Sequence, residues 1–304
     1  MYRVVIYKII EIFECFFNLF FSFKLHDLDL AVNDYDFNND DSDVAIVVQG
    51  PLLLKRNFTY RSCSNLVKAF PKSLLILSTW EGEDEETIGK VRGLGFIVLL
   101  NKLPKDSGLG NVNYQISSTY AGAEYAKTKG AKYLLKIRTD HIILKNNVLN
   151  FFKNMLNTFD LKLLTLSENS YEMDPYRLGD RVMFGSVDSM MVYWQPCDSF
   201  NFNNIDRNIF KKWELNKSVH SLLFLRFLSF LNEDLDWSLL TYHRLMIKHF
   251  VLIDSSSIGL YWYKYFDRIF VDRNFYGVNS ELNPCMRKMS FLRWLYYYRK
   301  YNNA

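Results

Sequence analysis

Tyr133-Leu134-Leu135-Lys136-Ile137-Arg138-Thr139-Asp140 is the stretch on which the fold turns. A mainly apolar run, Tyr133 to Ile137, reads as a strand that ends in a cluster of charge. In an open α/β sheet ligands bind beyond the carboxyl ends of the strands, which is where Arg138 and Asp140 fall. Arg-Thr-Asp alone also suits a solvated salt bridge at a strand end. Its meaning therefore depends on what surrounds it.

Upstream the chain alternates regularly. Val44 to Val48 is a β-branched run that stops at Gln49-Gly50-Pro51, a buried strand entering a turn. Thr59 to Phe70 follows as a helix ended by Pro71, then Leu74 to Leu77 as a strand leading to Ser78-Thr79-Trp80-Glu81-Gly82. Glu83 to Glu86 open the next helix, where acids suit the positive end of its dipole. Gly95 to Leu100 is a third strand, and a loop with Pro104, Gly108 and Gly110 leads into a helix that runs to Lys129 and ends at Gly130. Tyr133 to Ile137 is then the fourth strand. This alternation predicts parallel βαβ units in an α/β sheet.

Past Asp140 the pattern is less regular. Leu161 to Leu166 reads as a strand, Asp174, Pro175, Tyr176 and Arg177 lie in a polar loop, and Met190 to Trp194 reads as another strand. Asn232-Glu233-Asp234 precedes a helical stretch, Leu235 to Lys248, with Asn232 suited to cap it. His249 to Ile253 closes the series as a late strand.

Length and composition allow one full core: 304 residues, 49% hydrophobic and 17% aromatic. The net charge of +4 is too small to suggest a nucleic-acid partner. Cys15, Cys63, Cys197 and Cys285 show no paired spacing, which argues against a zinc site or a disulfide framework and fits a reducing cytoplasm. The sequence divides into an aromatic amphipathic segment (1–26), an acidic linker (27–43) with seven aspartates, a main domain (44–283) and a basic aromatic tail (284–304). Lys8, Glu11 and Glu14 interrupt the first segment, so surface attachment suits it better than a span. In the tail, Arg287, Lys288, Arg293, Arg299 and Lys300 alternate with Phe291, Trp294 and Tyr296 to Tyr298. That pairing suits an anionic membrane surface, and equally a terminal helix packed on its own domain.

The sequence has no G-x-G-x-x-G fingerprint and no G-x-x-x-x-G-K-[ST] phosphate loop, which argues against a dinucleotide cofactor and ATP hydrolysis. The turn Gln49-Gly50-Pro51 offers exposed amides to a base or phosphate instead. His141, His243 and His249 do not form a convincing ligand set.

Taken in order, Val47-Val48-Gln49-Gly50-Pro51, Leu77-Ser78-Thr79-Trp80, Asn113-Tyr114-Gln115-Ile116-Ser117-Ser118-Thr119, Lys136-Ile137-Arg138-Thr139-Asp140 and Gly179-Asp180-Arg181-Val182-Met183-Phe184-Gly185 resemble the WavE lipopolysaccharide-synthesis family. That family is similar to nucleotide-diphospho-sugar glycosyltransferases of the GT-A fold. The resemblance implies a GT-A-like mixed sheet flanked by helices with a Rossmann-like first half. It also implies a glycosyltransferase that moves a sugar from a nucleotide-sugar donor to a lipid-linked saccharide acceptor; the aromatic amino terminus and the basic aromatic tail separately suggest a peripheral place on the cytoplasmic face of the inner membrane. A non-catalytic nucleotide- or saccharide-binding protein of the envelope-assembly machinery is the other class.

By the same resemblance Gln49 and Gly50 lie near the nucleoside, Trp80 with Glu81 flanks its base or ribose, and Asp180 with Arg181 contacts the donor sugar or phosphate. Asp140 occupies the last acidic position of an Asp-x-Asp motif and would hold Mg²⁺ or Mn²⁺. Arg138 stands where the first acid is expected. Departure of a nucleoside diphosphate leaves negative charge that either a cation or an arginine must stabilise, so Arg138 can supplement or replace the metal. Asp234 and Glu233 are similar to the acidic pair before a helix in many such enzymes and are the candidates for the catalytic base. Acids in a helix's first turn also serve its dipole without catalysis.

Overall fold

The computed structural model describes residues 41–145, 147–196, 218–263 and 287–302. These all belong to one compact unit, Val32–Ala304. The amphipathic segment 1–26 lies outside the described residues, as does the acidic linker up to residue 40. The linker's end is tied to the domain: Lys153 Nζ lies 2.6 Å from Asp43 Oδ1, and Val44 N donates to the Asp41 carbonyl at 3.0 Å.

Nine strands and eight α-helices are described. In chain order they are β1 (Val44–Gln49), α1 (Phe58–Ala69), β2 (Leu74–Trp80), α2 (Glu85–Gly93), β3 (Ile97–Asn101), α3 (Val112–Thr128), β4 (Tyr133–Arg138) and β5 (His141–Ile143). Then follow α4 (Val148–Phe159), β6 (Leu163–Leu166), β7 (Met183–Ser186), α5 (Val187–Trp194), α6 (Val219–Phe230), α7 (Leu239–His249), β8 (Phe250–Ile253), β9 (Leu260–Trp262) and α8 (Phe291–Asn302).

Seven strands form one sheet in the order β3-β2-β1-β4-β7-β6-β8, and β5 pairs with β9 in a second, small sheet. The first half is parallel, β3 to β2 to β1 to β4, as the alternation predicts. Strand β7 then runs antiparallel to both β4 and β6, while β6 and β8 are parallel. It follows that β1, β4, β6 and β8 all present their carboxyl ends at one edge. The expected mixed sheet flanked by helices, Rossmann-like in its first half, is therefore what the chain forms.

Val44 to Val48 have no exposed surface, because the central strand is covered on both faces. The chain leaves β1 toward β2 and β3 on one side and returns to pair β4 on the other. The order reverses between β1 and β4, and Gln49 and Arg138 are register partners at that point. A crevice outside the strand ends forms where an open sheet reverses in this way.

Two expectations fail. Met190 to Trp194 is not a strand but the end of α5, whose start Ser186 caps by accepting from Ser189 N. Its run of large side chains is apolar because the helix is pressed on the sheet: Met190, Tyr193 and Trp194 have no exposed surface. The helix expected from Leu235 begins at Leu239, capped by Ser238. Asn232 is instead a left-handed residue (φ 54°) after α6 ends.

Candidate functional site

The floor of the crevice is the end of β1. Gln49 is buried, and its Oε1 accepts from Ser118 Oγ of α3 at 3.0 Å. Gly50 turns the chain with φ +115°, a left-handed value that favours glycine, and its N–H donates to the Ser78 carbonyl at 3.1 Å. Thr139 ties the two strand ends together: its N–H donates to the Gln49 carbonyl at 3.1 Å and its hydroxyl to the Pro51 carbonyl at 2.6 Å.

At the end of β2, Trp80 is buried with its ring 5.5 Å from that of Tyr114, whereas Glu81 is exposed. The neighbouring Glu83, which the sequence suggested only as a helix opener, accepts from Leu52 N at 3.2 Å. It thereby joins the turns after β1 and β2. Burial raises its pKa against that hydrogen bond.

The charged wall comes from β4 and what packs on it. Arg138 Nε and Nη2 donate to Asp140 Oδ1 and Oδ2 at 2.9 and 3.1 Å, and Trp262 Nε1 donates to Oδ2 at 2.9 Å. The guanidinium of Arg181 lies 3.5 Å from the Trp262 ring centroid. Burial pushes the Asp140 carboxyl up, but His141, Arg138 and the hydrogen bonds from Arg138 and Trp262 outweigh it and bring its pKa to about 2. His141 has no exposed surface, and burial drives its own pKa to about 3. It is thus uncharged near neutrality, where the Arg138 guanidinium and the Trp262 N–H are the groups that donate to the Asp140 carboxylate.

Behind this wall is a second charged group. Lys136 has no exposed surface, and its Nζ donates to the Asp180 carbonyl at 2.6 Å and lies 4.6 Å from the Trp194 ring centroid. Burial lowers its pKa to about 7 although Asp180 opposes this. Asp180 is also buried, which pushes its carboxyl up, yet His220, Lys136 and Arg181 hold it well below the usual range. His220 Nδ1 lies 2.7 Å from Asp180 Oδ1, and His220 Nε2 lies 3.0 Å from Asn169 Nδ2.

Gly179 makes this arrangement possible. A Cβ there would come within 2.1 Å of the Glu168 carbonyl oxygen, so the loop after β6 and the loop before β7 can meet only at a glycine. The Gly179 N–H donates to Ser170 Oγ at 2.9 Å and its carbonyl accepts from Thr165 Oγ1 at 2.6 Å.

The structure gathers Gln49, Gly50, Arg138, Asp140, Asp180 and Arg181 at the carboxyl edge of the sheet, with Trp80 and Glu81 beside them at the end of β2. It does not bring Glu233 there. That carboxylate pairs with Lys248 and His249, both at 2.7 Å. Those residues end α7 just before β8, and so mark the amino-terminal edge of the sheet. Burial raises the Glu233 pKa, but these two partners prevail and lower it. Asp234 is exposed, in the stretch between α6 and α7. The acid that reaches the start of α7 is Asp236, whose Oδ1 accepts from Ser238 N at 2.8 Å and whose carbonyl accepts from the Tyr176 hydroxyl. Sequence reading passed over Asp236, His220, Asn169 and Trp262. None carries a local motif; His220, Asn169 and Trp262 enter the site only through tertiary packing, and Asp236 caps the start of α7.

Asp140 is the residue that would hold a divalent cation here, and its carboxylate already has partners. Both carboxylate oxygens are already engaged by Arg138 and Trp262, and the described residues contain no group of three or more His, Cys, Asp or Glu able to hold a metal. Mg²⁺ and Mn²⁺ often take only one or two protein carboxylates, with phosphate and water completing the shell. A cation on Asp140 would share the carboxylate with Arg138 and Trp262 and take its remaining ligands from phosphate and water.

The basic tail packs on its own domain as α8. Trp294 is fully buried, its Nε1 donating to the Phe250 carbonyl at 2.8 Å, and Arg293 Nη1 and the Tyr297 hydroxyl donate to Glu172 at 2.8 and 2.6 Å. Leu292 and Tyr296 face outward, 73% and 59% exposed. No described helix is long and apolar enough to cross a membrane.

Fold and site define an α/β protein in which Arg138 and Arg181 gather around Trp262 at the switch point of a mixed sheet. The chain belongs to the WavE lipopolysaccharide synthesis family, whose model matches residues 44–303. No curated protein matches it. Among solved structures it is similar to a putative nucleotide-diphospho-sugar transferase from Desulfovibrio desulfuricans G20, at 10% identity and TM-score 0.35 over 80% of this chain and 96% of that one. It is also similar to a cytidylyltransferase from Leptospira borgpetersenii serovar Hardjo-bovis, at 13% identity and TM-score 0.34 over 57% of this chain and 71% of the other. A CMP:2-keto-3-deoxy-manno-octonic acid synthetase complexed with CTP matches at 12% identity and TM-score 0.34, over 57% of this chain and 86% of that chain.

Proposed function

We propose that this chain is a glycosyltransferase of lipopolysaccharide or surface-polysaccharide synthesis, taking a sugar from a nucleotide-diphospho-sugar donor and passing it to a lipid-linked saccharide at the inner face of the membrane. The observation that carries the reading is the pair Arg138 and Arg181 beside Trp262, at the point where the strand order reverses between β1 and β4. A diphosphate leaving group needs positive charge at this edge, and guanidinium groups supply it with fixed geometry. Gln49 and Gly50 would face the nucleoside, with Trp80 and Glu81 to its side. Asp140 acts here as the carboxylate that aims Arg138.

The test is a panel of nucleoside diphosphates in thermal unfolding, followed by transfer from the matching nucleotide sugars to lipid-linked saccharide. A ligand that binds only the native state at a hundredfold excess over its Kd stabilises by about 2.7 kcal/mol. At least one nucleotide should raise the unfolding temperature, and Arg181→Ala should reduce the rise. No response to any nucleotide, together with no transfer, would refute the reading. Stabilisation without transfer would favour a binding protein, the class suggested by an Asp140 already occupied by Arg138.

A further inference from the structure

His220 is the one histidine among the described residues that touches a buried carboxylate on one ring nitrogen and a neutral side chain on the other. Its Nδ1 is 2.7 Å from Asp180 Oδ1, its Nε2 is 3.0 Å from the Asn169 amide, and its side chain is 21% exposed. We infer that His220 is the base that accepts the proton of the acceptor hydroxyl during sugar transfer, with Asp180 as the positioning residue that fixes its tautomer. The inference rests on the transferase reading above and names a part that neither Asp234 nor Glu233 supplies in this fold.

The placement follows from the topology. His220 lies in the first turn of α6, capped by Ser218. Its neighbour Val219 is packed so closely on the turn before α3 that a Cβ at Gly110 would come within 2.8 Å of Val219 Cγ2. That turn follows β3, so the start of α6 stands at the carboxyl edge of the sheet. Asn169, in the left-handed region at φ 61°, follows β6 at the same edge. Asp180 follows Gly179 and precedes Arg181, whose guanidinium covers Trp262 and so reaches the Asp140 group.

The chemistry is consistent at each atom. Asp180 Oδ1 lies 2.7 Å from Nδ1, so the carboxylate favours the tautomer with its proton on Nδ1, which leaves the lone pair on Nε2. The Asn169 amide, donating to that lone pair, occupies the place an acceptor hydroxyl would take. In the transfer step the hydroxyl proton passes to Nε2 and the hydroxyl oxygen bonds to the anomeric carbon. The bond from that carbon to the diphosphate oxygen breaks, and its electron pair leaves on the nucleoside diphosphate, toward the arginine side. The charged and polar groups that face the imidazole are Asp180 and Asn169, with Lys136 and Arg181 behind Asp180.

The experiment compares wild type, His220→Ala and Asp180→Asn in transfer from nucleotide sugar, in nucleoside diphosphate affinity and in thermal unfolding. General-base catalysis is worth about 10²- to 10⁴-fold, so His220→Ala should lose that much kcat with nucleotide affinity within about twofold of wild type. Added imidazole should restore part of the rate in His220→Ala and none in Asp180→Asn, which keeps its ring but loses the carboxylate that orients it. Transfer by His220→Ala within about threefold of wild type overturns the inference and leaves the transferase reading standing. A loss that imidazole cannot relieve and that comes with weakened nucleotide binding or a lower unfolding temperature makes His220 structural and also overturns it. A wild-type chain that binds no nucleotide and transfers nothing overturns the transferase reading, and this inference with it.

Discussion

Arg138 grips Asp140 at two points, Nε to Oδ1 at 2.9 Å and Nη2 to Oδ2 at 3.1 Å, with the carboxylate largely shielded from solvent. Such a pair gives folding a pH dependence. Asp140 titrates at about 2 in the folded chain against the ordinary value of 3.8, so folding favours the ionised form. The stabilisation is complete above about pH 4 and is lost as pH falls toward about 2, amounting to roughly 2–3 kcal/mol. Urea unfolding followed from pH 6 downward should show that loss in wild type. In Asp140→Asn this contribution should be missing from the slope, and equal slopes in the two proteins would dissociate Asp140 from the acid sensitivity.

The same grip leads to a prediction about metals. With both Asp140 oxygens engaged, diphosphate charge falls to Arg181 and Arg138 and not to a cation on Asp140. Calorimetric titration of the nucleoside diphosphate that stabilises the chain should give affinities within about twofold in EDTA and in Mn²⁺. Arg181→Ala should weaken binding by about 10- to 100-fold, the worth of one charge-assisted hydrogen-bonded contact. Binding that vanishes in EDTA would show that Asp140 releases Arg138 to take a metal.

Much of the fold was legible because its first half is written in local pattern. β1 and β4 are near-continuous apolar runs, the acids at Glu85 and Glu86 fall in the first turn of α2, and Gly130 follows α3, so each boundary lies within a few residues of its sequence signal. The second half relies on packing that periodicity does not report. Met190 to Trp194 looks like a strand because every side chain is large and apolar, yet two covered faces make a buried helix read the same way. The site divides similarly. Gln49, Arg138 and Asp140 are found at strand ends, where sequence reasoning looks, whereas Trp262 reaches Asp140 across 122 positions and His220 reaches Asp180 from a separate helix.

The tail should separate into two functions by face. Trp294 is fully buried against Phe159, Phe291 and Tyr298, so Trp294→Ala should cost about 3–5 kcal/mol in urea unfolding. Leu292 and Tyr296 are exposed, and Leu292→Ser with Tyr296→Ser should leave stability within about 0.5 kcal/mol. If this outer face meets the membrane, the double variant should sediment less with anionic vesicles while folding normally. Undiminished sedimentation would assign α8 to packing alone.

Gly179 and Gly89 give opposite expectations from the same substitution. Alanine at Gly179 would place Cβ 2.1 Å from the Glu168 carbonyl oxygen and 2.9 Å from that of Leu166, and backbone atoms yield only by moving the loop. Overpacking of this kind costs about 1–3 kcal/mol or more. The displaced loop carries Asn169 on one side, and Asp180 follows Gly179 on the other, so Gly179→Ala should also disturb the contacts of His220 and reduce transfer beyond its effect on stability. Gly89 lies inside α2 with nothing within 4 Å of a new Cβ, so Gly89→Ala should stabilise by about 0.5–1 kcal/mol through helix propensity alone and leave transfer unchanged. Urea unfolding of both variants beside a transfer assay checks the pair, and a Gly179→Ala protein as stable and active as wild type would mean that the two loops do not meet as closely as their contact requires.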